Sequence, residues 1–300
     1  MGLSRRHIFP FVSLSGILPG LISILLSLAF LLLTSLQGNT TPILTLTFID
    51  VGEGDAIYLE NPGHCNFLID TCNPKSGVKV LSTLVQMGIS RIDHLILTHP
   101  HLDHMGGVFT VAQLLPVSRF YDNGEDLSLH SKTHDMARWY QDLVRKSPRY
   151  SVLKTGHRFE CPPLTIEVLW PPRPSITKDW NTNSLVLMVS FGAFRCLLMA
   201  DANLTTEREL LKASAPLKAH ILRVGHHGAR DAASQAFLSA VSPEIAIISV
   251  DGGNIHGYPD PKTLRRIQES HARLFRTDRQ GTITIQAHPD GTYRVFTERP

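Results

Sequence analysis

A bounded apolar run, His94-Leu95-Ile96-Leu97-Thr98, leads without interruption into His99-Pro100-His101-Leu102-Asp103-His104, and Met105-Gly106-Gly107 follows. A short apolar run of this kind reads as a buried strand. The stretch after the glycines, 108–115, reads as a helix. An H-x-H-x-D-H loop is therefore held at the carboxyl end of a strand, where α/β sheets place their sites. Three histidines and one aspartate within these residues form a donor set that Zn²⁺, Mn²⁺ or Fe²⁺ accepts. The spacing divides in two, with His99 and His101 for one ion and Asp103 and His104 for another.

From residue 43 the chain alternates strand-like and helix-like segments. Strands are predicted at 43–51, 55–60, 66–70, 150–155, 164–170, 184–190, 194–199, 220–224, 245–250, 281–286 and 293–297. Helices are predicted at 77–87, 131–146, 206–213, 232–240 and 262–271. In the first of them Val78, Leu81, Leu84 and Val85 recur at helical spacing, and Thr206 with Glu209 has capping-box timing. Two β-rich halves with helices outside predict an α+β domain over 43–300, built as a four-layered αββα sandwich. At 300 residues and 43% hydrophobic content, the chain can bury a sizeable core. A net charge of +3 is too small to argue for nucleic acid by itself.

Cys65, Cys72, Cys161 and Cys196 show no C-x-x-C spacing, which speaks against a cysteine zinc site. In an exported domain Cys65–Cys72 is one disulfide the chain could form. Buried free thiols are the alternative, above all for Cys196 in its apolar strand. Residues 8–36 carry no charge and follow Arg5, Arg6 and His7. The segment is long enough to span a bilayer, and the arginines predict a cytoplasmic N-terminus with the remainder across the membrane. A signal peptide is the rival, because the dense apolar core is short. The absence of an A-x-A site favours an uncleaved apolar helix over 1–36, joined by a polar linker at 37–42. A membrane-anchored domain outside the cytoplasm is expected, or a secreted one if the segment is cleaved.

Three further places carry chemistry. Asp201 ends the apolar run Leu197-Leu198-Met199-Ala200, a position suited to bridging two ions and equally to capping a helix. Val224-Gly225-His226-His227-Gly228 puts two histidines at another strand end, one suited to ligation and one to proton transfer or support. The amides of Trp180-Asn181-Thr182-Asn183-Ser184 could orient substrate, Asn183 being the candidate, or form an ordinary turn. Asp50 and Asp70 stand at strand ends, as acceptors for ligand histidines or as turn residues. Lys262, Arg265, Arg266, Arg273, Arg276 and Arg279 could meet phosphates or form a solvated basic face.

The order H-x-H-x-D-H, strand-end Asp, G-H-H-G resembles the metallo-β-lactamase fold superfamily. Phe48-Ile-Asp-Val-Gly-Glu-Gly-Asp-Ala56, Leu68-Ile-Asp-Thr71, Asn183-Ser-Leu-Val186, Val224-Gly-His-His-Gly228 and Arg276-Thr-Asp-Arg279 are similar to the hydrolase domain of ComEC-like competence proteins. The resemblance implies a hydrolase that uses one or two divalent ions, Zn²⁺ or Mn²⁺, to activate water. Its expected substrates are phosphodiesters, DNA among them, as for a nuclease or phosphodiesterase. It implies His99, His101, Asp103, His104, Asp201 and His227 as ligands, Asp103 also holding the water, and His226 in proton transfer; the order of His226 and His227 stays open. The chain departs from the pattern at 179–183, which lacks a histidine common in the superfamily, so that one ion site is short of a ligand, open or empty. It also has Ala200 and Ala229 where the subgroup has Gly and Ser. The subgroup's G-H-P loop appears as His256-Gly257-Tyr258-Pro259, leaving His256 as a substrate contact. Ester, lactone or thioester hydrolysis is the alternative reaction. A non-catalytic binding module that retains its metal is the alternative outside enzymes.

Overall fold

In the computed structural model, which describes residues 42–127 and 134–300, period-two alternation of apolar residues builds two mixed sheets. In chain order the strands are β1 (Leu44–Phe48), β2 (Ile57–Asn61), β3 (Cys65–Ile69), β4 (Ile92–Leu97), β5 (Val117–Asp122), β6 (Tyr150–Val152), β7 (Arg158–Cys161), β8 (Leu164–Trp170), β9 (Val186–Phe191), β10 (Phe194–Leu198), β11 (Ile221–Arg223), β12 (Ile245–Ile248), β13 (Arg273–Arg276), β14 (Ile283–Ala287) and β15 (Tyr293–Thr297). The helices are α1 (Gly77–Gln86), α2 (Leu102–Met105), α3 (Val108–Leu114), α4 (His134–Tyr140), α5 (Leu204–Lys212), α6 (Gln235–Val241), α7 (Pro261–Glu269) and α8 (Thr277–Gln280). The eight-stranded sheet runs β15-β14-β1-β2-β3-β4-β5-β6 and the seven-stranded sheet β13-β12-β11-β10-β9-β8-β7.

Alternate side chains of each strand serve two cores. Leu44, Leu46, Phe48, Leu59, Phe67 and Ile69 meet Leu164, Ile166, Val168, Leu187, Val189 and Phe191 between the sheets. On the outer face of the first sheet Tyr58, Leu68, Leu95 and Leu97 pack on Val80 and Leu84 of α1 and Val108 and Val111 of α3. Met188, Leu197, Leu222 and Ala246 of the second sheet pack on Leu210, Phe237, Leu238 and Ile267 of α5, α6 and α7. Helix, sheet, sheet and helix thus stack in the expected four layers. The expected apolar helix at 1–36 lies outside the described residues. Among those that are described, no helix is long and apolar enough to cross a membrane.

Several local expectations are corrected. Strand β5 reads poorly because Ser118 and Arg119 interrupt it with exposed positions; β7 and β13 are short edge strands. Helix α5 starts at Leu204, not at residue 206. Its cap is Asn203, whose side chain accepts from the Thr205 amide, while Thr206 is buried and donates to the Thr182 carbonyl at 2.8 Å. Of the basic residues set aside for phosphates, Arg266 donates to the carbonyls of Ala233, Arg230 and Ala232. Arg276 is paired with Asp278 at 2.6 Å. Both hold backbone or side chains in place.

The disulfide is Cys65–Cys161, with Cys72 and Cys196 free and buried. Cys65 opens β3 and Cys72 lies beyond its far end. The four strand steps from Cys65 to Ile69 alone cover roughly 13 Å at about 3.3 Å each, beyond disulfide reach. The bond instead ties β3 of one sheet to β7 of the other, across 96 residues. Closing so long a loop restricts the unfolded chain, and the bond is expected to add about 2–4 kcal/mol. Urea melts with and without reductant measure it, and unchanged midpoints would refute the contribution.

Register sets two poles. Phe48 lies opposite Ile57 and Ile283, Ile57 opposite Ile69, Ile69 opposite Ile96, and Ile283 opposite Thr297. Leu44 lies at the other end, beside Ala287. The candidate site forms at the first pole.

Candidate metal centre

Strand β4 delivers His99, and helix α2 turns His104 back under it. The loop is seated by hydrogen bonds from the Thr71 amide to the His104 carbonyl (2.7 Å) and from the Gly107 amide to the Cys72 carbonyl (2.9 Å). Two glycines let neighbouring backbones close on it: a Cβ on Gly54 would strike the Asp103 carbonyl, and one on Gly107 the Thr71 carbonyl. Asp201 follows β10, and His227 follows β11 in a turn where both His226 and His227 have positive φ. Three segments distant in sequence, after strands of both sheets, therefore supply the candidate ligands.

The donors converge on two points. Asp103, His104, Asp201 and His227 present ligand atoms within 4.8 Å of one another, and so do His99, His101 and Asp201. Asp201 belongs to both. Its Oδ1 lies 3.2 Å from His104 Nε2 and 3.3 Å from His227 Nε2, while Oδ2 lies 3.6 Å from His99 Nε2. Asp103 Oδ2 is 3.4 Å from His227 Nε2 and 3.6 Å from His104 Nε2. His99 Nε2 and His101 Nδ1 are 3.0 Å apart.

The outer nitrogens fix the tautomers. His104 Nδ1–H donates to Asp70 Oδ2 at 2.8 Å. The Thr98 hydroxyl donates to the same oxygen at 2.7 Å and accepts from His99 Nδ1–H at 3.1 Å. His227 Nδ1–H donates to the Ser249 carbonyl at 2.8 Å. Each inner nitrogen of His99, His104 and His227 thus carries a lone pair turned toward the carboxylates. His104 Nε2, His227 Nε2 and Asp201 Oδ1 are buried with no hydrogen-bond partner. Native interiors rarely leave such groups unpaired, and a divalent cation satisfies all three. This donor set fits a metal.

The charge balance agrees. Burial alone would raise Asp103 and Asp201, but His104 and His227 outweigh it and hold both carboxyls well below the usual carboxylate range. Burial would depress His104, yet Asp201, Asp103 and Asp70 lift it well above the ordinary imidazole value; His227 is lifted likewise, by Asp201 and Asp103. Burial wins at His99 and His101, which are lowered. A cation between these rings and the carboxylates would balance the same negative charge and leave the imidazoles neutral for ligation.

The remaining candidates separate. His226 and His256 line a cavity of about 260 Å³ over the centre, together with Glu53, Asn181, Asp251 and Tyr258. His256 reaches across it to Glu53 at 3.2 Å. Asn183 does not reach it. That residue is fully buried and its amide is spent on both backbone groups of Thr177; Asn181 is the amide in the cavity wall. Asp70 orients His104, but Asp50 pairs with Lys79 and Arg299 instead of any ligand histidine.

Two residues of the site have no role that their sequence neighbourhood suggests. Arg223 is fully buried, its guanidinium 2.5 Å from Asp55, and it donates to the Ala200 and Val224 carbonyls. Asp55 closes the Gly-Glu-Gly-Asp motif; an arginine flanked by apolar strand residues is the only signal for Arg223. Ala200 adopts φ of 46° just before Asp201, a region that costs an L-residue about 1–2 kcal/mol. Ala200→Gly is expected to raise stability by roughly 0.5–1 kcal/mol after glycine's greater freedom in the unfolded chain is subtracted. A lower urea midpoint would contradict this.

Over 272 residues the chain is 29% identical to ComE operon protein 3 of Bacillus subtilis (strain 168), covering 83% of this chain and 34% of that protein. It is 28% identical over 242 residues to Competence protein ComA of Neisseria gonorrhoeae, covering 79% and 31%. The chain spans about a third of the length of these curated relatives. Among solved structures, CmlA, a diiron β-hydroxylase from Streptomyces venezuelae, superposes with a TM-score of 0.52 at 15% identity, covering 85% of this chain and 54% of that one. At that identity the likeness concerns the fold alone. The family match runs over residues 49–252 and takes in the loop at His99, the strand end at Asp201 and the turn at His227. The chain belongs to the metallo-beta-lactamase superfamily.

Proposed function

We propose that the protein is a metal-dependent hydrolase of phosphodiester bonds, with DNA among its substrates. The observation that carries the reading is Asp201, a single carboxylate whose two oxygens face two separate sets of imidazoles. A pair of closely spaced ions suits in-line displacement at phosphorus, and relatives named for competence support DNA as the polymer. Divalent ions held there supply Lewis acidity, acidifying water and offsetting charge on phosphoryl oxygens.

The chain's own groups do the rest. His99, His101, Asp103, His104, Asp201 and His227 would hold the ions. Asp103, with 28% side-chain exposure against 4% for Asp201, lines the cavity and would hold the attacking water. His226, with Asp231 3.3 Å behind Nδ1, lines the same cavity and is the candidate for proton transfer to the leaving oxygen. His256 and Asn181 stand in the cavity wall as substrate contacts. The domain is proposed to lie outside the cytoplasm, tethered by residues 8–36; the Cys65–Cys161 bond supports an oxidising compartment.

The full chain, loaded with Mn²⁺ or Zn²⁺, is to be assayed on bis-p-nitrophenyl phosphate, single-stranded DNA and a lactone. Turnover of the phosphodiesters, abolished by EDTA and restored by metal, is expected. Turnover of the lactone alone would replace this reading with ester hydrolysis. Bound metal with no turnover would make the protein a binding module.

A further inference from the structure

The loop 251–258 supplies Asp251, Asn254, His256 and Tyr258 to the wall of the cavity over the metal centre. It is built around Asn254. That side chain donates to the Asp251 carbonyl at 2.6 Å and to the Tyr258 carbonyl at 2.7 Å, and accepts from the Tyr258 amide at 2.9 Å. The loop is thereby closed on itself, and Ile255, His256 and Gly257 project as an exposed tip.

The rings of this tip form a row. His256 and Tyr258 stack with centres 5.4 Å apart and planes 22° from parallel. Tyr258 in turn meets the His226 ring at 5.4 Å, inclined by 64°. Side-chain exposure falls along the row, from 51% at His256 to 18% at His226, so the row leads inward, to the neighbour of His227. Glu53 Oε1, on another segment of the wall, lies 3.2 Å from His256 Nε2 and orients the ring without covering it. A half-exposed, oriented ring is a platform for another flat ring, and every nucleobase has a π-face to offer. A base within a duplex has its faces covered by its neighbours and must first be unstacked.

We propose that the His256–Tyr258 pair is a nucleobase subsite, stacking the unpaired base of a nucleotide whose phosphate lies at the metal centre. The inference rests on the phosphodiester reading and narrows its substrate to single-stranded or frayed nucleic acid. It makes the exposed His256 ring a determinant of specificity, acting through its face.

The test is calorimetric titration of the full chain, in Mn²⁺ buffer, with deoxyadenosine 5′-monophosphate and with deoxyribose 5-phosphate, in which a hydroxyl replaces the base. The nucleotide is expected to bind about tenfold more tightly, the scale of one base stacked on an aromatic side chain. His256→Gln keeps a polar tip for Glu53 but has no ring, and should bring the two affinities together. His256→Phe keeps a ring and should retain the preference. Equal affinities in the unaltered chain overturn the proposal. So does a preference that survives in His256→Gln, or one that is lost in His256→Phe. Turnover of bis-p-nitrophenyl phosphate with equal affinities keeps the hydrolase and removes the subsite. A nucleotide preference that follows the ring, in a chain that turns over no phosphodiester, keeps the subsite and removes the hydrolase reading.

Discussion

Asp201→Asn is expected to cut kcat/KM on a phosphodiester by about 10³-fold and to cost at least one equivalent of bound metal. The substitution keeps the side chain's size, so the strand end and its buried neighbours stay packed. It removes the charge, however, and leaves only one oxygen donor where both sets of imidazoles require one. Losing an ion forfeits several kcal/mol of transition-state stabilisation, and each 1.36 kcal/mol is a factor of ten in rate. Metal analysis of the purified variant beside its kinetics decides the matter. Full metal content with undiminished turnover would show that Asp201 does not bridge the two groups.

Arg223→Met is expected to destabilise the fold by about 3–5 kcal/mol. Asp55 is 1% exposed, and without the guanidinium its carboxylate stays buried and unpaired. The Val224 carbonyl loses its side-chain donor as well, and the Ala200 carbonyl keeps only the His226 amide. Replacing both partners, Asp55→Leu with Arg223→Met, should recover most of the loss, since an apolar pair leaves no stranded charge. Denaturant midpoints for the two variants separate these outcomes. A double variant as weak as the single would mean that the carbonyl contacts carry the effect.

The site was legible where chemistry is local. His99, His101, Asp103 and His104 occupy one short loop, so their spacing alone suggests a shared donor set. Asp201 and His227 were only partly legible by position, because an aspartate closing an apolar strand can equally cap a helix. Long-range pairing was not legible. Nothing near Arg223 names Asp55 as its partner, and Cys65 gives no sign of Cys161. The amide reading erred by two residues: Asn183 and Asn181 share a turn, and only backbone direction decides which faces Thr177 and which the cavity. The four layers followed from strand alternation, whereas β5 escaped because exposed Ser118 and Arg119 break its apolar run.

The poles of the sandwich have a practical corollary. Leu44 opens β1 at the end remote from the centre, whereas β15 finishes at Thr297 on the same side as the mouth of the candidate site, and Arg299 already touches Asp50 there. Cargo or a solid support joined directly to Pro42, in place of residues 1–41, should leave access free. A bulky fusion after Pro300 should crowd the opening and slow large polymers more than small chromogenic esters.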